Sequence, residues 1–431
     1  MSQSNHIKEF LDILDLNLTF EENYFQKVKV KEQLCFRFNA CLTYIPQECL
    51  HCQQTNQHSI IKWGWKRVSV LLNDVSNYKT ILSIKKQRFF CKHCQRTFLA
   101  VDSVSDRHCS IARRVKLGIL QLLTQPFSLT AIAQMTHVSP TTVLRVMHSF
   151  RSPAVCPTRS LPEVLCFDEF KSVKNVSAAM SFVMMDGQSH QLLDIAPNRQ
   201  LSSLRTYFSR YSIEERAKVR LVVTDFYTPY RTLVKECFPH AHIVADRFHI
   251  AQHIARTFLK HRIQRMKQFR PDQFQYKQLK RYWRLLQKDA WSLDYTKSRW
   301  HPSFRAYLTE SEFVDRLLGY DEELNASYQL YQSFLSAIKH RDVALFCQLL
   351  RKNKKDLPEV YHTPLTTFRK YKQEIKRALR VPYSNGPLEC LNNHSKVLKR
   401  ISYGFHNFNN FRERIFLCRG TYFKEVKKNP H

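Results

Sequence analysis

The sequence predicts a multidomain chain, with an α+β part in the N-terminal third and an α/β part in most of the remainder. Two C-x-x-C pairs and a pattern of two packed helices indicate the first part. A series of short apolar strands and helices after residue 160 indicates the second. At roughly 100–200 residues per domain, the chain accommodates two to four domains.

The chain is strongly basic. It has 431 residues, with 68 Lys and Arg against 36 Asp and Glu, and a formal net charge of +32. This excess favours a nucleic-acid partner, because basic surfaces gain affinity when they release counterions from phosphates. We find no run of eighteen apolar residues and no apolar leader, so we expect no membrane partner and a cytoplasmic, nucleoid-associated location.

Glycine is scarce. The chain has seven glycines, and the two nearest, Gly404 and Gly420, lie sixteen positions apart. Neither G-x-G-x-x-G nor G-x-x-x-x-G-K-[ST] can therefore occur. Because these loops cradle dinucleotides and nucleoside triphosphates, we expect no nucleotide cofactor.

Four cysteines form two pairs of the same spacing, Cys49-x-x-Cys52 and Cys91-x-x-Cys94. Two residues between thiolates let both bind one tetrahedral ion, and two such knuckles complete a structural Zn²⁺ site. Strand-like segments between the pairs favour a zinc ribbon. His51 and His93 lie inside the knuckles, where we expect them to face solvent. The alternative is a redox pair or unrelated thiols.

A helix–turn–helix is predicted over residues 128–149. Apolar residues recur where two packed helices need them, and Ser139 with Pro140 is a typical helix start. The second helix would lie in the DNA major groove and contact it through Thr141, Thr142 and Arg145. An ordinary helical hairpin is the alternative.

After a proline-marked linker at 151–162, the element order becomes three strands, a helix, a strand, a helix and a strand. Strands are predicted at 164–167, 180–185, 192–195, 219–223 and 242–245, with helices at 201–211 and 229–237. This is the order of a ribonuclease-H-like core. Parallel pairing of its first and fourth strands would place Asp168 beside Asp225.

Two adjacent carboxylates are tolerated when a divalent cation lies between them, and hard oxygen ligands select Mg²⁺ or Mn²⁺. Two such ions can activate a nucleophile and stabilise a leaving oxygen in phosphodiester chemistry. Glu389, in the first turn of a helix predicted after Asn385-Gly386, is the candidate third carboxylate. It could instead only cap that helix or complement its dipole.

These motifs together resemble the ISL-three (ISL3) family of insertion-sequence transposases. The matching segments include the four cysteines, the helix–turn–helix, 167–170, 223–230, 244–249, 384–389 and the tail at 399–414. The resemblance implies a DDE transposase in which Asp168, Asp225 and Glu389 bind two catalytic Mg²⁺ or Mn²⁺ ions. Asp246 and His249 would lie near that site.

The resemblance also implies that the protein binds the element's terminal inverted repeats and target DNA, as a homo-oligomer, and cleaves and transfers the strands. A zinc-ribbon and helix–turn–helix regulator without catalysis is the main alternative, and a sequence-tolerant nuclease is another. The expected divisions are a helical lead-in at 1–34, the ribbon at 35–108, the helix–turn–helix domain at 109–152, the ribonuclease-H-like core at 160–250, a helical insertion at 251–380, and C-terminal core helices at 381–431.

Overall fold

The computed structural model describes residues 3–30, 32–149, 160–173, 176, 178, 180–353, 355, 357–402 and 404–419. Most of the predicted linker lies outside the described residues. The chain forms two compact units. Within the described residues, the first unit contains 3–149, 397–402, 404, 405 and 409–419, and the second contains 160–396 and 406–408.

The first unit begins with a short helix and a mixed sheet. Its strands are ordered β1-β2-β4-β3, with β5 beside β4. The pair β2–β4 is parallel and the other pairs are antiparallel. The elements are α1 (Gln3–Phe10), β1 (Leu18–Val30), β2 (Gln33–Leu42), β3 (Ile60–Leu71), β4 (Lys79–Cys91) and β5 (Arg96–Leu99).

The expected helical lead-in at 1–34 is wrong beyond α1. Residues 18–30 form a strand that pairs with β2 along most of its length. The segment is rich in Thr, Phe, Tyr and Val, residues that fit a pleated, half-buried surface better than a helix. The strand-like segments predicted between the cysteine pairs form the hairpin of β3 and β4, and β4 ends at Cys91.

Three helices follow the sheet: α2 (Arg113–Thr124), α3 (Leu129–Met135) and α4 (Pro140–Ser149). They bury Ile119, Ile132 and Val143 against one another and the sheet. Ser128 caps α3 by accepting a hydrogen bond from the Ala131 N–H at 3.0 Å. The turn between α3 and α4 contains His137 at φ +51°, the left-handed conformation in which glycine is usual.

The last described helix, α17 (Phe408–Cys418), also packs in this first unit. The buried Arg414 donates hydrogen bonds of 2.8 Å to the carbonyl oxygens of Gln125 and Phe127, directly after α2. The expectation that all of 381–431 belongs to the second unit is therefore wrong for most of α17. Its apolar face and buried arginine complete the core around α2 instead.

The second unit contains a five-stranded sheet ordered β10-β9-β6-β7-β8. The strand β6 pairs in parallel with β9, as predicted, and β9 with β10, whereas β7 and β8 are antiparallel. The strands are β6 (Val164–Phe170), β7 (Ser181–Asp186), β8 (Leu192–Ala196), β9 (Leu221–Thr224) and β10 (His242–Ala245).

Helices α5 (Leu201–Phe208), α6 (Ile213–Lys218) and α7 (Thr228–Cys237) join these strands. Aromatic rings fill one side of the sheet, with Phe167 at the centre of a cluster that includes Phe182, Phe208 and Tyr230. The short helix α6 was not predicted from the sequence. This packing fixes the carboxyl ends of β6 and β9 side by side.

The insertion predicted at 251–380 is largely helical, with one small strand pair. The elements of the insertion are α8 (Arg247–Met266), α9 (Phe274–Arg281), α10 (Trp283–Gln287), β11 (Arg299–His301), β12 (Ala306–Leu308), α11 (Glu310–Leu318), α12 (Glu322–Lys339), α13 (Val343–Arg351), α14 (His362–Lys370) and α15 (Lys372–Arg380). Helix α16 (Gly386–Ile401) follows the insertion. Among the described residues, no helix has the length and apolarity needed to cross a membrane.

Candidate active site and zinc centre

The four predicted zinc ligands meet in the first unit. Their sulfur atoms all lie within 4.8 Å of one another. The Sγ–Sγ distances are 3.6 Å for Cys49–Cys94 and 3.9 Å for Cys52–Cys91. Four thiolates bound tetrahedrally at about 2.3 Å from Zn²⁺ are separated by roughly 3.8 Å. The donor set and its spacing therefore fit a structural zinc ion.

The two histidines inside the knuckles differ from the four cysteines in their surroundings. His51 and His93 are exposed, as predicted, and the His51 Nε2 atom lies 3.3 Å from the Thr97 carbonyl oxygen. Burial alone would raise the pKa of Cys49, but hydrogen bonds from the backbone of Cys52 and His51, and from neighbouring thiols, lower it to about 6. A thiolate is the form that binds zinc.

In the second unit, the strands place two of the three predicted carboxylates at neighbouring positions. Asp168 lies near the end of β6 and Asp225 directly follows β9, and these two strands are paired in parallel. Both residues are half-buried. Asp225 accepts a 2.9 Å hydrogen bond from the Tyr227 N–H, which fixes its carboxylate at the start of α7.

The charge state of Asp168 reflects its crowded surroundings. Burial raises the pKa of Asp168 to about 7, and the negative charges of Glu169 and Asp225 add to the rise. A 2.8 Å hydrogen bond from the Glu169 N–H and the nearby His249 side chain oppose it. A carboxylate in this environment gains most from a bound cation.

Helix α16, which carries Glu389, is attached to the same region by two asparagines. The buried Asn385 donates its side-chain N–H to the Phe167 carbonyl oxygen at 2.7 Å. One turn beyond Glu389, Asn392 donates to Asp168 Oδ2 at 2.8 Å. Residues three apart lie on the same helix face, so Glu389 is on the face that meets Asp168.

Asp246 and His249 lie where β10 leads into α8, beside this attachment. The buried Asp246 accepts a 3.1 Å hydrogen bond from the Asn385 N–H through Oδ1, and its Oδ2 is 3.9 Å from His249 Nε2. Glu169, in contrast, forms an ion pair with Arg199. Burial, and after it the negative charge of Asp225, nevertheless raises the pKa of Glu169, so Glu169 also lies beside the acidic strand ends.

The structure places Asp168 beside Asp225 and brings the helix of Glu389 to Asp168, but the three acids do not form one compact cluster. Within the described residues, the four cysteines are the only group of three or more His, Cys, Asp or Glu side chains whose ligand atoms all lie within 4.8 Å. Glu389 is half-buried on α16. Its approach to Asp168 follows from its shared helix face with Asn392.

Of the three predicted DNA contacts on α4, Thr141 and Arg145 are exposed. Thr142 is half-buried, and its hydroxyl oxygen is 3.0 Å from that of Ser139, within the hydrogen bonding that caps α4. On the surface of α4, Thr141 and Arg145 are therefore more accessible to a partner than Thr142.

The roles of Asn385 and Asn392 were not predicted from the sequence, although Asn385 lies inside the segment that contains Glu389. The sequence does show one asparagine in the turn before the helix and a second asparagine three positions after Glu389, on the same helix face. The role of neither asparagine can be recognised from the sequence, because their partners at the carboxyl end of β6 lie more than two hundred positions earlier.

The first unit contains a zinc-ribbon-like cysteine cluster, and the second unit is a mixed α/β domain with acidic residues at two neighbouring strand ends. A family model described as transposase, for the DDE type of the ISL3 family, matches residues 165–415. A second model, described as the zinc-finger of transposase IS204/IS1001/IS1096/IS1165, matches residues 45–94. Because the first match covers more than half of the chain, the protein belongs to the ISL3 family of DDE transposases.

Two relatives illustrate the similarity. The chain is 24% identical over 362 residues to the transposase for insertion sequence element IS1001 from Bordetella parapertussis, covering 83% of this chain and 84% of that relative. It is 56% identical over 116 residues to a protein named ATP-dependent protease from Lactococcus lactis subsp. lactis, covering 27% of this chain and 37% of that relative. The latter match thus spans little more than a third of the relative's length.

The name of the shorter match does not transfer to this chain. The seven glycines of the sequence are too widely spaced for a G-x-x-x-x-G-K-[ST] phosphate loop. The longer match and both family models agree on a transposase, and the second model assigns the cysteine cluster to structural zinc.

Proposed function

We propose that Asp168, Asp225 and Glu389 hold two divalent cations, Mg²⁺ or Mn²⁺, and form the catalytic site of this transposase. The observation that carries the proposal is the 2.8 Å hydrogen bond from Asn392 to Asp168. It brings the helix of Glu389 to the strand end where Asp168 and Asp225 repel each other. A cation relieves that repulsion.

The three acids do not all lie within 4.8 Å of one another, which fits a site for two ions better than a site for one. Two catalytic ions lie about 3.5–4 Å apart, and each binds oxygen at about 2.1 Å. Carboxylates that bind the outer sides of such a pair are therefore separated by about 8 Å. A three-acid site of this kind does not require all ligand atoms within 4.8 Å.

The surrounding residues would hold the three acids in place. Asn392 fixes one oxygen of Asp168, and Asn385 ties the start of α16 to both β6 and Asp246. Asp246 and His249 act as positioning residues in this arrangement. The ions, when bound, would activate a water or a 3′-hydroxyl and stabilise the leaving oxygen of the phosphodiester.

The first unit would recognise the DNA. We assign α3 and α4 to a helix–turn–helix, with Thr141 and Arg145 directed at the terminal inverted repeats and Thr142 supporting the start of α4. We assign the sheet of the second unit to a ribonuclease-H-like core. Cleaving and joining two transposon ends requires both to be held together, so the active form would be an oligomer on DNA.

A cleavage and strand-transfer assay with end-containing DNA tests the catalytic assignment. Asp168→Asn should abolish cutting and joining and leave end binding within about twofold of the wild type, because the substitution removes a ligand charge and no DNA contact. Glu236→Gln is the matched control, since it also removes one carboxylate charge. Glu236 lies exposed on α7, where it pairs with Arg205 of α5. It should retain activity.

The two competing functions give different results in the same assay. A regulator would bind the DNA without cutting it at any metal concentration. A nuclease would cut without joining. Weakened binding together with normal cutting by the Asp168→Asn protein would refute the assignment of Asp168.

A further inference from the structure

The strand β3 carries two exposed tryptophans on either side of a glycine. Trp63 is 55% exposed and Trp65 is 43% exposed. Gly64 has φ +98°, at an irregularity in the pairing of β3 with β4. Large aromatic side chains are usually buried on folding, so two of them exposed within three residues of a paired strand indicate a surface kept for a partner.

The same part of the sheet concentrates positive charge. Lys62 and Lys66 flank the tryptophans, and the Lys85 ammonium lies 5.1 Å from the centre of the Trp65 ring. Two cross-strand pairs, Lys66 opposite Lys86 and Arg67 opposite Lys85, place like charges directly against each other. Lys86 and Arg67 are compensated by ion pairs with Asp102 and Glu21. Within the described residues, Lys62, Lys66 and Lys85 therefore supply the positive charge that this strand offers to a polyanion.

The two indole rings are held in place before any partner binds. The ring of Trp63 packs on Phe90 with 5.1 Å between centroids. The Gln87 side chain donates a 2.7 Å hydrogen bond to the Gly64 carbonyl oxygen and so fixes the backbone of β3 at this irregularity. Rings that are already ordered lose little entropy on binding, which favours their use as contact groups.

The position of β3 narrows the choice of partner. It is an edge strand of its sheet, and an edge strand can in principle pair with a second copy of the chain. A bulge and lysines on an edge strand oppose such pairing. They do not oppose a nucleic acid, whose phosphates attract the lysines and whose bases stack on aromatic rings.

We propose that the exposed edge of β3 at Lys62–Lys66, together with Lys85, is a DNA-contact surface of the first unit, separate from α4. Trp63 and Trp65 lie on opposite faces of this edge, beside Phe90 and Lys85 respectively. They stack on bases or insert between them while the lysines contact phosphates. The inference rests on the proposed function, since it names a further contact of a DNA-binding protein. The contact would be tolerant of sequence, because every base offers a flat face.

Fluorescence anisotropy of the full chain, with a labelled mixed-sequence duplex and with each of its single strands, tests the surface. The double variant Trp63→Ala/Trp65→Ala should bind at least one of the probes about tenfold or more weakly. The variant Lys62→Ala/Lys66→Ala should lower the slope of log affinity against log salt by about 1.4–1.8. Trp291→Ala, which removes a 73% exposed tryptophan of the second unit, should bind as the wild type does.

Circular dichroism and zinc content of each variant establish that the first unit remains folded, and Trp63→Phe/Trp65→Phe should restore most of the affinity. Wild-type affinity of the alanine variant for all probes would overturn the proposal. So would a change from oligomer to monomer in that variant with DNA affinity intact, since the strand would then bind a second copy. Cleavage of end-containing DNA, measured on the same variants, reports separately on the proposed function.

Discussion

The cysteine cluster of the first unit and the acidic site of the second unit reach their geometry in different ways. The four cysteines come from two knuckles, one before β3 and one after β4, which meet at the open end of this hairpin. Their sulfur atoms already have the spacing of a zinc tetrahedron. The three acidic residues come from β6, the end of β9 and α16, and their oxygens do not form one tight group.

The difference fits the role that we propose for each metal. A structural ion is enclosed by ligands that fold around it, so its binding energy is folding energy. A catalytic site has to admit substrate oxygens and leave positions open for them. We therefore expect loss of the first site to be a folding defect, and loss of the second to be a defect of chemistry in a folded protein.

The largest expected effect is that of Cys52→Ser. Removing one of four thiolates should release the zinc and unfold the ribbon, because apparent zinc-binding energies of about 10–16 kcal/mol drive such folds. The expected result is loss of bound zinc by atomic absorption and loss of DNA binding. Cys109→Ser, at an exposed cysteine outside the cluster, is the control. Unchanged zinc content in the Cys52 variant would contradict the site.

A smaller effect is expected for Arg414→Met, which tests a contact made by distant parts of the first unit. Arg414 is buried, and its loss would leave the carbonyl oxygens of Gln125 and Phe127 without their charged donor. We expect the free energy of unfolding to fall by about 2–4 kcal/mol. Denaturant unfolding measures this, and Arg419→Met, at an exposed position, should change it by less than about 0.5 kcal/mol.

The smallest expected effect on stability, with a clear effect on chemistry, is that of Asn392→Ala. Loss of the 2.8 Å hydrogen bond to Asp168 should lower metal affinity or activity about 10–100-fold in a folded protein. Titration of Mn²⁺ followed by cleavage kinetics measures both. Asn393→Ala, at the exposed neighbouring position, should behave as the wild type. Equal activity of the two variants would remove Asn392 from the site.

The features that were predicted correctly from the sequence are those that local residue spacing and strand order determine. The cysteine pairs, the strand that carries Asp168 near its end and the parallel pairing of β6 with β9 were all anticipated. The strand at 18–30 was missed although its partner β2 follows it directly in the chain. The placement of α17 was missed because its partners after α2 lie almost three hundred positions earlier. Asn385 and Asn392 were missed for the same reason, since their partners are on or beside a strand more than two hundred positions earlier.

The most direct test of the central claim is the location of Mn²⁺ by anomalous diffraction from crystals of the full chain grown with the metal. The account predicts density at the ends of β6 and β9, bound by Asp168 and Asp225, with Glu389 as a ligand on the side of α16. Manganese bound elsewhere, or bound by Asp168 and Asp225 with the Glu389 carboxylate directed away from it, would contradict the assignment of the three acids to one site.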